Sequence, residues 1–232
     1  MLTILPFSAL LAACIRDSDF GVDAVASPAP ATDDRWPIVQ GRGGISAHLE
    51  GSRLRLARGN DVISTRAVAW GKGSAMSSTP STLPVVVACP SAKVTRPPVC
   101  EPRLEYRSTG FTEWWAPRFE GFQQGWTVDR APAGMGELTV EVDLEGGEVR
   151  VAEGGLQVDG EAGEVFNVSG LAAWDANGTA LNARFALTAG GFSVRVDDRG
   201  AQYPVQIDPV YSTPGATLAG DARPDLDFGA RG

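Results

Sequence analysis

Alternation is the feature that most constrains this chain. In Leu138, Thr139, Val140, Glu141, Val142, Asp143, Leu144 and Glu145 every second side chain is aliphatic and the rest are polar. That two-residue period puts four apolar groups on one face of an extended strand. Phe185 and Leu187, then Phe192, Val194 and Val196, repeat it on either side of Ala189, Gly190 and Gly191, which predicts an antiparallel pair. Asn177-Gly178 gives a type I′ hairpin signal between 171–175 and 181–185. Gly146-Gly147 and Gly154-Gly155 separate two further short strands, and Leu49, Leu54, Leu56 and the run 62–70 predict a hairpin around Gly59-Asn60. Helical periodicity is nearly absent. Strands punctuated by glycine turns every ~8–12 residues predict an all-β fold, an antiparallel sandwich or partial barrel. Glu137, Glu141, Asp143 and Glu145 are expected on its solvated face, where charge also keeps strand edges from pairing with other chains.

Composition narrows the function classes. The 28 Gly and 16 Pro show no period, so a collagen-like rod is excluded. A net charge of −8 argues against a partner held through phosphates, so no nucleic acid is expected. One histidine, His48, leaves little for a metal centre and nothing for an imidazole-dependent triad. It stands in an alternating stretch, as a surface or half-buried residue would. The expectation is a protein that is not an enzyme, with no cofactor and no metal. Residues 1–100 carry 7 acids and 10 bases, whereas 101–232 carry 21 acids and 10 bases. Such asymmetry suggests two regions under different constraints: a β-rich segment over 36–100 and an all-β domain over 101–211.

The N-terminal 13 residues are apolar but too short to span a bilayer as a helix, which takes roughly 20. They suit a signal peptide, and Leu11, Ala12, Ala13 and Cys14 resemble a bacterial lipobox. That resemblance implies lipidation at Cys14 and a place on the bacterial cell envelope, exported and anchored to a membrane. The stretch 14–35 is acidic and contains Ser27, Pro28, Ala29 and Pro30, the composition of a disordered, semi-extended spacer. With Cys14 acylated, Cys89 and Cys100 remain, and an even pair in an exported chain predicts a disulfide. Closing that loop would contribute about 2–3 kcal/mol.

Three indoles and a few carboxylates are the candidate ligand-binding groups. Trp114, Trp115 and Trp126 would suit a carbohydrate-binding β-sandwich, although aromatics at strand positions commonly pack. Glu113, with Glu105 and Glu120 near it in sequence, would serve a glycoside hydrolase only if two carboxyls faced one cleft at about 5–9.5 Å. Gly71, Lys72, Gly73 and Ser74 lack the lead residues of a phosphate loop, and Gly41 to Gly44 lack a dinucleotide-binding unit, so both are expected to be plain loops.

Tyr106-Arg107 is followed by Thr112, Glu113, Trp114 and Trp115, and then by Gly121, Phe122, Gln123, Gln124, Gly125, Trp126 and Thr127. Gly170 to Asp175 and then Tyr203, Pro204, Val205, Gln206, Ile207, Asp208 and Pro209 complete the series. On these motifs the region 104–211 resembles the exported domain that precedes FG-GAP (integrin-alpha-like) β-propeller repeats in bacterial surface proteins. Gln123-Gln124 stands where relatives more often have Glu-Gln, and Ala116, Pro117 and Arg118 where they have an Asn. The resemblance implies a stalk or adaptor of interaction, adhesion or structural type, with a protein or polysaccharide partner. It also implies that 212–232 opens a truncated repeat. Asp221, Asp225 and Asp227 lack the alternating spacing of a calcium loop and are expected in a solvated turn.

Overall fold

The computed structural model describes residues 35–40, 45–80, 85–87, 103–118, 121–161 and 163–214. Every regular element among them is a strand, and the strands form two antiparallel sheets that face each other as a sandwich. Numbered in chain order, the first sheet runs β1 (Arg35–Gln40), β2 (Ser46–Glu50), β3 (Arg53–Arg58), β4 (Asp61–Lys72), β10 (Leu138–Glu145), β15 (Gly191–Val196) and β14 (Ala183–Thr188). A short β5 (Ala75–Ser78) folds back on the end of β4. The second sheet runs β11 (Glu148–Ala152), β12 (Gly155–Gly160), β13 (Gly163–Trp174), β16 (Val205–Ser212), β9 (Gly121–Val128), β8 (Phe111–Arg118), β7 (Arg103–Ser108) and β6 (Val85–Val87). Neither sheet closes on itself, so of the two expected architectures the molecule is the sandwich.

The alternating sequences form their strands as their period requires. Along β10, Leu138, Val140 and Val142 are 0–1 % exposed, while Thr139, Glu141 and Asp143 between them are half-buried. Burying each such aliphatic side chain contributes about 1.5–3 kcal/mol relative to leaving it in water. The hairpin at Gly59-Asn60 joins β3 to β4, and Gly190-Gly191 joins β14 to β15.

Two expectations are corrected. Asn177-Gly178 reverses the chain, with backbone bonds from Asp175 N to Thr179 O, Gly178 N to Asp175 O and Leu181 N to Ala173 O around a bridge between Trp174 and Ala180. No strand ladder follows between 171–175 and 181–185, because β13 and β14 lie in different sheets. Gly178 still adopts a left-handed φ of 76°, but the Asp175 carboxylate fixes the loop. It accepts the amides of Asn177 and Thr179 at 2.9 Å each and of Gln202 at 3.1 Å. The second correction concerns residue 100, which is no boundary between packing units. β4 pairs with β10 from Leu138↔Lys72 to Glu145↔Ser64, and β6 pairs with β7. The charge asymmetry closes inside one sheet, where Arg53 bonds Asp143 at 2.6 Å and Glu145 at 2.8 Å.

β4 crosses the second sheet instead of running along it. The Asp61 carboxylate accepts the amide of Glu161 just past β12, Thr65 meets Tyr211 of β16, and Ala67 meets Glu113 of β8. Trp70 then stacks on Phe111 with ring centroids 5.3 Å apart. A single apolar core, with Trp126, Tyr211, Phe122 and Phe166 among its largest members, fills the space between.

Candidate functional site

The sheet crossing contains the molecule's most unusual polar cluster. On one edge of β4, pairing with β3 ends at Thr65 and pairing with β5 begins at Ala69. On the other edge, the register with β10 shifts so that Val142 opposes Ala67 and Glu141 opposes Ala69. The backbone of Ala67 therefore finds side-chain partners. Its carbonyl accepts from Thr79 Oγ1 at 2.5 Å, and its amide donates to both oxygens of Glu113, at 3.1 and 3.3 Å.

Glu113 reaches this gap because of strand parity. Phe111, Glu113 and Trp115 alternate onto the inner face of β8, so a charged residue type enters the core at a position where its neighbours are aromatic. Gln124 of β9 donates to Glu113 Oε1 at 2.6 Å, and the Tyr211 hydroxyl donates to Gln124 Oε1 at 2.8 Å. Tyr211 also lies 3.4 Å from the Thr65 hydroxyl, which returns the chain of contacts to β4. Burial pushes the Glu113 carboxyl up to about 7, against the pull of Gln124, the Ala67 amide, Trp126 and the Arg66 charge. The Trp126 indole nitrogen lies near without reaching hydrogen-bond geometry to any acceptor. Burial, and then the Glu113 charge, push the Tyr106 hydroxyl upward. Beside the carboxyl is a void of about 10 Å³, bounded by Ser52, Arg66, Thr79, Tyr106 and Arg107, room for about one water.

The three candidate indoles are all covered. Trp126 is 0 % exposed and Trp115 is 2 % exposed, its ring 5.5 Å from that of Tyr211. Trp114 points out of the other face of β8 yet is only 4 % exposed. It lies flat over Gly125, where a Cβ would meet its ring at 2.0 Å, and the Arg103 guanidinium sits 5.3 Å from the ring centre. Glu105, opposite Trp114 in the register, shares that outer face and is clamped by Arg103 at 2.7 Å and Arg107 at 2.6 Å. Glu113 and Glu105 therefore project from opposite faces of one sheet and do not share a cleft.

Other polar side chains hold loops. Lys72 pairs with Asp198 at 2.6 Å, and the Tyr203 hydroxyl donates to the same Asp198 oxygen at 2.5 Å. Gln123 donates to Asp208 at 2.5 Å. His48 is exposed on β2. Among the described residues no group of three or more His, Cys, Asp or Glu is arranged to hold a metal ion. Cys14, Cys89, Cys100, Glu120, Asp221, Asp225 and Asp227 lie outside the described residues. Sequence reasoning weighed Glu113 as an acid in a cleft and did not foresee its links to Gln124 and Tyr211. The one available signal was an inward parity shared by Glu113 and Gln124 with the aromatics beside them.

The chain matches no protein-family model, no curated protein and no solved structure.

Proposed function

We propose that this protein is a non-enzymatic module of a bacterial cell envelope, exported and lipid-anchored through Cys14. Its β-sandwich would serve as the stalk or adaptor that holds a propeller, or another protein or polysaccharide partner, away from the membrane. The observation that carries this reading is the commitment of its reactive and aromatic groups to packing. Glu113 gives both oxygens to Ala67 and Gln124 at the centre of the sandwich, and the candidate indoles are at most 4 % exposed. The lipobox-like end and the acidic spacer add an anchor and a tether.

Feeding an alkyne-tagged fatty acid to cells that make the full chain tests the anchor. Label is expected on the wild type and absent from Cys14→Ser, and an unlabelled wild type overturns the lipid-anchored reading. Sugar binding would require a ring face in water, and of the three candidate indoles Trp114 is the one on an outer face. A glycan-array signal that disappears in Trp114→Ala while folding is kept would replace the stalk reading with a carbohydrate-binding one.

A further inference from the structure

We propose that Glu113 is a proton-binding interlock, in which uptake of one proton at this carboxyl tightens the crossing of the two sheets as the surroundings become acidic. The carboxyl stands at the break in the β4 edge and bonds both sheets at once, through the Ala67 amide of β4 and the Gln124 side chain of β9. The groups facing it are few. β4 presents Arg66 and the Thr65 hydroxyl, β7 presents Tyr106, β9 presents Gln124 and Trp126, and β16 presents Tyr211. Arg66 is not dedicated to the site, since it donates to Ser52 at 2.8 Å. A carboxylate in such a place loses its hydration and gains neutral donors and the Arg66 charge, which together do not offset that loss. The neutral acid avoids that cost, keeps an oxygen to accept from Ala67 or Gln124, and adds a donor of its own. Both tyrosine hydroxyls are pushed upward by burial, so Glu113 is the group at the crossing that changes charge near neutrality.

The direction of the effect follows from linkage. The carboxyl titrates near 4.5 in an unfolded chain and near 7 when folded, so the folded state binds more protons between those values. The stabilisation is complete below the lower value and disappears as pH rises through the upper one. Thermal unfolding of the full chain between about pH 5 and pH 8.5 tests this. The wild-type Tm should fall as pH rises through about 7, by on the order of 5 °C, and Glu113→Gln should flatten that fall. A Glu113→Gln variant with the wild-type slope overturns the proposal. Should that variant fail to fold, infrared spectra of the wild type decide instead. A protonated-carboxyl band growing in as pH falls through about 7 supports the interlock, and a carboxylate that persists to about pH 5 overturns it.

Discussion

β10 and β9 are both central strands of equal length, yet they bury themselves differently. Along β10 inward aliphatics alternate with half-wet Thr139, Glu141 and Asp143. Along β9 every residue from Gly121 to Trp126 is buried, so the outward positions Gln123 and Gly125 are as enclosed as the inward ones. The first sheet is a one-sided surface with charge pairs on its outer face, such as Arg53 with Asp143. The second, over β7, β8 and β9, is a two-sided layer in which polar groups are pinned in pairs, Gln123 with Asp208 and Glu105 with two arginines. Equal strand length therefore does not mean equal tolerance. A position on β9 is enclosed on either face, while the outward half of β10 meets water and charge partners such as Arg53.

The sharpest way to test this contrast is to remove mass from the two-sided layer. Trp126→Ala should lower unfolding free energy by about 3–5 kcal/mol in urea titrations, because its indole is wholly enclosed. Adding mass on the outer side comes next. Gly125→Ala places a methyl into the Trp114 ring and should cost about 1–3 kcal/mol, seen also as altered Trp fluorescence. If Gly125→Ala is as harmless as Glu141→Ala on β10, the outer face of β9 is not packed as described. Asp175→Ala should cost about 1–2 kcal/mol, since three backbone amides lose their acceptor. Smallest of all, Arg53→Ala should cost about 0.2–1 kcal/mol and less at high salt; its side chain is 27 % exposed and its partners 26 % and 62 %. A large, salt-independent loss there would mean the outer face of the first sheet is not governed by water.

The same contrast explains what could be read from the sequence. One-sided strands announce themselves, because water on one face forces a period of two; β10 follows its pattern residue for residue, while β14 and β15 pair as expected even though Leu187 is 48 % exposed and Ser193 is buried. Two-sided strands lose that period, so Gly121 to Val128 offers only a run of aromatics, glycines and amides. Pairing between distant segments leaves no local trace, which is why the charge difference between the two halves suggested separate regions when Arg53 was seeking Asp143. The Asn177-Gly178 signal identified a turn correctly as a local event but not which sheet the chain would enter next. Glu113 is visible as a carboxylate among tryptophans, but the gap in β4 pairing that it fills leaves no mark in the local sequence.

The pairing of β4 with β10 also sets the order in which this molecule can be made. Ser64 waits for Glu145 and Lys72 for Leu138, so the early strands lack a neighbour on that edge until more than half the chain has emerged. Non-local pairings of this kind slow folding, because loop closure precedes the contacts that reward it. The early strands therefore wait for β10 along the free edge of β4, and β16, later still in the chain, is the strand that joins β13 to β9 and completes the second sheet.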